Sequence, residues 1–281
     1  MRILIGYNGS EAANAALLDL HRAGFSDTTE AVIFTVAESW LHPKTLDEAA
    51  ASAAAGKIWA EREFPTWRVE AKTASGSPAR ELLAFAEFFH PDVIIVGESE
   101  GSSPATIFIG HTSQTILAEA ECSVRIARRS TTVSSTSRRI LVGYDGSPAA
   151  VHAVDAIADR KWPAEIMVRL LVVADSSVLG SIGRFTPQMN DAVVEAKFAS
   201  QWVETLAAPS LEKLRRSAIT SSVEVQFGNA KDVIVEEAQK WNADAIFVGP
   251  HSSPNSFARF LVGSVSTAVA ARANCSVEIV R

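Results

Sequence analysis

The chain carries only two cysteines, too few for a disulfide framework. No run of about 18 apolar residues is free of charge, so no transmembrane helix is expected. Basic residues are not in excess: 26 Lys and Arg face 32 Asp and Glu, a net charge of −6. Nucleic acid and anionic membrane are therefore not expected partners, because each needs a basic patch. The opening MRILIGYNGS lacks an apolar h-region with a small-residue cleavage site. No signal peptide is expected, and the cytoplasm is the expected compartment. Several chemical signatures are also missing. There is no Gly-x-x-x-x-Gly-Lys-Ser/Thr of a P-loop and no Gly-x-Ser-x-Gly nucleophile elbow. The six histidines, His21, His42, His90, His111, His152 and His251, form no zinc-like spacing with a cysteine.

What the chain does have is repetition. RILIGYNGSEA at Arg2 returns as RILVGYDGSPA at Arg139, with Asn8 replaced by Asp145. Gly76-Ser-Pro-Ala matches Gly228-Asn-Ala-Lys, Pro91-Asp-Val-Ile-Ile-Val-Gly matches Ala243-Asp-Ala-Ile-Phe-Val-Gly, and Cys122-Ser-Val-Arg-Ile matches Cys275-Ser-Val-Glu-Ile. The order of landmarks never changes, which is the mark of duplication. The 281 residues allow two units of about 140. We expect units at 1–129 and 139–281, joined by a flexible Ser/Thr-rich linker at 130–138 within the stretch Ala127–Arg139. About 15 extra residues in the second unit fall around 176–190. They read as a surface loop, or as a lid or partner-binding arm.

Each unit alternates between two periods. Ile3-Leu4-Ile5 is a continuous apolar run suited to a strand buried on both faces. Ser10 and Ser147 are placed to cap helices, with Pro148 at the first helical position. Val151, Val154, Ile157 and Ala158 then mark an apolar helical stripe. Further strands are expected at Ala31–Ala37 and Met167–Ala174, Trp67–Thr73 and Ser222–Phe227, strands ending at Gly97 and Gly249, and Ser123–Ala127 and Ser276–Val280. Strands alternating with helices imply an α/β fold. The expectation is two tandem doubly wound units, each a five-stranded parallel sheet in order 3-2-1-4-5 with helices on both faces.

In such a sheet, ligands sit beyond the carboxyl ends of the strands where the order reverses. The loop after strand 1 carries Asn8 or Asp145. The loop after strand 4 begins at Gly97 or Gly249 and leads to a helix starting near Gly110 or Gly263. Free amides and the helix dipole there favour an anion, with phosphate the natural occupant. In these two loops and the repeated opening, the chain resembles the universal stress protein family in its tandem form. The resemblance rests on the strand-Asp-Gly-Ser opening, the glycine loop after strand 4 and the Cys-Ser-Val strand end, and it covers nearly the whole chain.

The resemblance implies a nucleotide pattern of Gly, two residues, Gly, nine residues, Gly, then Ser or Thr, with an Asp after strand 1. The first unit keeps Gly97 and Gly110 but has Glu100, His111 and Asn8 at the other matching positions. The second keeps Asp145, Gly249, Gly263 and Ser264, has Ser252 for the second glycine, and is one residue longer before Gly263. Glycine at that second position lets a phosphate approach closely. Two carboxylates, Glu98 and Glu100, beside a polyphosphate cost roughly 4 kcal/mol per close like-charge pair at an effective dielectric of about 20. Since about 1.4 kcal/mol is tenfold in affinity, the first unit is not expected to hold ATP.

The resemblance thus implies ATP or another adenine nucleotide, with Mg, held weakly in the second unit. The residues implied are Asp145, Val173 after the second strand, Gly249, His251, Ser252, Gly263, Ser264 and Val265. Three functions follow from it: a stress-response regulatory protein acting on an unidentified protein partner, a structural pseudo-dimer that binds no nucleotide, and a slow ATP hydrolase with His251 orienting water. A further homodimer of chains stays open. Other residues have plainer readings. Cys122 and Cys275 read as packing residues rather than a redox pair, Glu98 and Glu100 as a solvated acidic loop rather than a metal or acid–base pair. His111 and His251 read as loop or capping residues, with phosphate contact the alternative. The tryptophans read mostly as core or interface anchors, with Trp40 and Trp59 open to a partner.

Overall fold

The apolar run at Ile3–Ile5 becomes the centre of β1 (Arg2–Gly6), and all three side chains are fully buried. In this computed structural model the described residues are 1–38, 45–98, 109–129, 137–162, 165–174, 192–250 and 263–281. Ser10 ends the turn after β1 and caps α1 (Glu11–Asp19), its hydroxyl accepting from the Ala13 amide. β2 (Glu30–Ala37) follows, then α2 (Leu46–Glu63), which starts at a capping box formed by Thr45 and Glu48. β3 (Arg68–Ser75), α3 (Pro78–Phe89), β4 (Val93–Gly97), α4 (His111–Glu119) and β5 (Ser123–Ala127) complete the first half.

The second half repeats this plan. β6 (Ser137–Gly143) leads to α5 (Pro148–Ala158), capped by Ser147 with Pro148 in the first turn. β7 (Glu165–Ala174), α6 (Ala192–Arg216), β8 (Thr220–Phe227), α7 (Ala230–Lys240), β9 (Ala245–Val248), α8 (Ser264–Arg272) and β10 (Ser276–Ile279) follow. The insertion around 176–190 lies outside the described residues.

Within each half the strands are parallel, as βαβ crossovers require. The ten strands form one sheet in the order β3-β2-β1-β4-β5-β10-β9-β6-β7-β8. The halves meet at β5 and β10, which pair antiparallel with Val124 opposite Ile279 and Ile126 opposite Val277. On one face of the sheet the apolar core runs unbroken across this seam, from Leu4 and Ile94 through Val124 and Ile279 to Ile246. On the other face each half keeps its own cluster, around Ile5 and Ile33 in one and Val142 and Leu170 in the other.

The stretch after β5 does not begin as a free linker. Arg128 is buried, and its guanidinium donates to the carbonyls of Ala270 and Cys275 in the other half. At the matching end, Arg281 donates to the carbonyls of Leu117 and Cys122. Each arginine thus closes the carboxyl end of the other half's last helix, where orphan carbonyls and the negative dipole end favour a cation. Ser137, Arg138 and Arg139 likewise belong to β6, and the Arg139 guanidinium donates to the Trp241 carbonyl. Serine and threonine content hid these anchors; residues 130–136 lie outside the described residues.

Trp59 is partly buried. It packs edge-on against Phe64 and His21 beside the first half's core. Trp40 lies outside the described residues. Trp162 reaches the other half: its ring lies where a Cβ on Gly24 would be, 2.7 Å from the nearest ring atom. Gly24 has φ +69°, so both the conformation and the space there suit only glycine.

Candidate functional site

The site is assembled by two glycine-bearing strand ends. β6 ends at Gly143 and the chain turns through Asp145, Gly146 and Ser147. The Asp145 Oδ1 accepts from the Ser147 amide at 3.0 Å, Gly146 takes φ +74°, and Ser147 caps α5 by accepting from Ala150. The first half builds the same turn. Asn8 Oδ1 accepts from the Ser10 amide at 3.0 Å and Gly9 takes φ +80°. An amide oxygen and a carboxylate oxygen therefore do the same local work. What separates Asn8 from Asp145 is charge facing outward, not the shape of the turn.

Gly249 follows β9 and touches the start of α5. A Cβ there would sit 2.6 Å from the Ala149 Cβ and 2.9 Å from its carbonyl carbon. Gly97 stands in the same relation to the first half, 2.4 Å from the Ala12 carbonyl oxygen. Both halves keep this glycine because strand and helix backbone meet there, whether or not a ligand binds. Ser266 then ties the second loop to its helix, donating to the Gly249 carbonyl at 2.6 Å. Ser113 does the same with Gly97 at 3.3 Å. Sequence reasoning missed this pair, although the serine recurs three residues after Gly110 and Gly263 in both repeats.

α8 begins at Gly263, which accepts from Thr267 and has no side chain to cap the first amides. The Gly263 amide itself donates to the Pro250 carbonyl. The amides of Ser264 and Val265 thus belong to an uncapped first turn, with the positive end of the helix dipole behind them.

A cavity of about 260 Å³ lies between these elements. Asp145, Val173, Gly249, Gly263, Ser264 and Val265 all line it, so six sequence-predicted residues are brought together. Leu171, Ile234 and Val248 add apolar wall that sequence reasoning did not assign. Val173 lies inside β7, one residue before its end, rather than after the strand. His251 and Ser252 lie outside the described residues.

The equivalent place in the first half differs in charge. Glu98 is not a solvated loop residue: its side chain is 17% exposed and its carboxylate lies 3.8 Å from Arg128 Nε and 3.7 Å from Arg129 Nε. Arg129 also pairs with Glu11 at 3.0 Å. Two carboxylates and two guanidiniums are knitted together here. In the second half the residues matching Glu11 and Glu98 are Pro148 and Pro250, which carry no charge. Glu100 lies outside the described residues. His111 is the exposed first residue of α4, in the place Ser264 takes in the second half.

Both cysteines precede the last strand of their half. Burial pushes the Cys275 thiol up to about 12 and the Cys122 thiol up to about 11. Thiols held neutral are poor nucleophiles, which fits packing. Among the described residues no cluster of three or more His, Cys, Asp or Glu could hold a metal, and no helix is long and apolar enough to cross a membrane.

Two doubly wound halves, each with a glycine turn at the strand carboxyl ends, define a tandem α/β protein. A sequence profile described as the universal stress protein family matches residues 1–128 and again 136–281. The chain belongs to the universal stress protein family. A Staphylococcus haemolyticus protein named for that family is 28% identical over 148 residues, covering 52% of this chain and 86% of that protein. Among solved structures, a universal stress protein from Archaeoglobus fulgidus has a TM-score of 0.64 at 18% identity, covering 100% of this chain and 96% of its own. A Pseudomonas aeruginosa protein of the same family description has a TM-score of 0.68 at 16% identity, covering 99% and 92%. These likenesses show the fold. A universal stress protein solved in complex with cAMP matches 52% of this chain and 98% of its own at a TM-score of 0.35 and 22% identity.

Proposed function

We propose that this chain is a stress-response regulatory protein whose second half holds ATP or another adenine nucleotide weakly, and whose two halves act as an intrachain pseudo-dimer. The observation that carries the nucleotide reading is the cavity at the β6 and β9 ends. Its wall offers apolar surface at Leu171, Val173 and Ile234, a carboxylate at Asp145, and an uncapped helix start at Gly263–Val265. Apolar wall suits a purine, a carboxylate accepts from nucleoside N–H or O–H groups, and free amides suit phosphate. The nucleotide would bring its own Mg²⁺.

The first half supports the shape and leaves the ligand to the second. Glu98 and Glu11 are tied to Arg128 and Arg129 there, so an incoming phosphate meets carboxylates whose cations are already engaged. The output is contact with a protein partner, controlled by occupancy of the second half.

The test is direct. Purified protein is heated and the supernatant examined for released nucleotide, then the protein is titrated with ATP and Mg²⁺ by calorimetry. One site per chain is expected. No heat at millimolar ATP, with no released nucleotide, removes the nucleotide reading and leaves a structural pseudo-dimer.

A further inference from the structure

The backbone clasps at the two ends of the seam repeat by symmetry, and its charged centre does not. Arg128 and Arg281 are the same position of the duplicated unit, and each makes the same contacts in the opposite half. Their amides do too: Arg128 N donates to Ser276 Oγ and Arg281 N donates to Ser123 Oγ, both at 3.1 Å. Between these clasps, β5 and β10 place Arg125 opposite Glu278. Those two also share one position of the repeat, yet they carry opposite charges.

Two further charges complete the centre. Arg125 Nε donates to Asp19 Oδ2 at 2.6 Å and its Nη1 donates to Glu278 Oε2 at 3.2 Å. Arg160 Nη1 donates to the same Glu278 oxygen at 2.9 Å and to the Ala23 carbonyl at 3.0 Å. Ser276 Oγ donates to Asp19 Oδ1 at 2.8 Å. The four charged side chains are at most 6% exposed. In the repeat, Asp19 corresponds to Ala156 and Arg160 corresponds to Ala23. The first half thus supplies Asp19 and Arg125, the second supplies Glu278 and Arg160, and the signs alternate along the chain of contacts.

An antiparallel edge between two copies of one half would set position 125, or position 278, against itself. Two guanidiniums or two carboxylates would then face each other without water. The Arg125 Nη1 would also lose its acceptor. Buried like charges are among the strongest devices against a wrong pairing.

We propose that Arg125 and Glu278 form a heterotypic lock: the β5 edge accepts only an edge bearing a carboxylate at the matching position, and rejects a second copy of itself. This deepens the pseudo-dimer reading and rests on it. The lock commits the β5 and β10 edges of the two halves to each other.

The experiment uses the full chain. Hydrogen exchange first asks whether amides of 123–127 and 276–279 are protected; unprotected strands would sink the pseudo-dimer reading itself. With protection in place, Glu278→Arg and Arg125→Glu are each expected to lose it and to lower Tm by roughly 10 °C. Neither alone is expected to form a two-chain species, because each presents two edges of one sign. Refolded together they are expected to give a species of twice the 30.0 kDa chain mass by light scattering. An independent cycle of Arg125→Met, Glu278→Met and the double variant reads the same pair in foldable chains. The double variant is expected to lose clearly less than the sum of the singles. The lock is overturned if Glu278→Arg keeps wild-type Tm and protection, or if the cycle is additive. It is equally overturned if either charge variant dimerises by itself as readily as the mixture does.

Discussion

Asp145→Asn separates two jobs that share one side chain. In the structure the Asp145 carboxylate accepts from the Ser147 amide at 3.0 Å, and Asn8 shows an amide oxygen making that same bond at 3.0 Å in the sister turn. Asparagine at 145 should therefore leave the turn intact, with stability within about 0.5 kcal/mol of the wild type. Asp145→Ala removes the acceptor and should cost about 1 kcal/mol, roughly 3 °C in Tm. Ligand affinity should order differently. A hydrogen bond from nucleotide to carboxylate is charge-assisted and contributes about 1.5–3 kcal/mol, which is roughly 10- to 150-fold in Kd. Both variants should lose most of that, although only one loses stability. Asn8→Asp should create no second site, because the first half keeps Glu11 and Glu98 where the second has Pro148 and Pro250. The assay is calorimetric titration with ATP alongside thermal unfolding of all four proteins. Wild-type affinity in Asp145→Asn would refute the ligand role of the charge, and a stability loss in it equal to that of Asp145→Ala would refute the turn argument.

Three further outcomes are expected. Gly249→Ala and Gly97→Ala should each destabilise by about 1–3 kcal/mol in urea unfolding, since the new methyl meets helix backbone or Cβ at 2.4–2.6 Å; only Gly249→Ala should also weaken ATP binding. Arg128→Ala and Arg281→Ala each strip donors from carbonyls at the end of the opposite half's last helix, and should lower Tm by similar amounts, roughly 5 °C; a large effect from one and none from the other would contradict the twofold seam. The folded-state thiol values lie above the ordinary 9.0, so the stability they contribute is complete below about pH 9 and is lost as pH rises through about 11 and 12. Iodoacetamide at pH 8 should accordingly leave Cys122 and Cys275 of the native chain unmodified while labelling both in urea.

Much of the fold was legible because it depends on local pattern. Ile3–Ile5 announces a buried strand, Ser10 and Ser147 announce helix starts, and the repeat announces two like units. The six cavity residues were legible for a related reason: a doubly wound sheet sends the ends of strands 1 and 4 to one place. Other features left no local trace. Arg128 sits in a Ser/Thr-rich stretch that reads as linker, and only the opposing helix end gives its guanidinium a destination. Glu98 reads as a solvated acid until Arg128 and Arg129 arrive from beyond β5. Leu171 and Ile234 look like ordinary core positions, and their place in the cavity wall follows from β7 ending and α7 beginning beside it.

The amino-acid order alone determined that there are two units, that each alternates strand and helix, and that Asp145 and Asn8 sit in equivalent turns. Those are properties of neighbours along the chain, fixed by periodicity, capping and backbone sterics. Tertiary structure alone decided that Arg125 faces Glu278, that Arg128 and Arg281 each close the other half's last helix, and that Glu98 is paired. Such contacts join residues more than a hundred positions apart or from different elements. A charge's meaning depends on what the fold sets against it, and composition is silent about that.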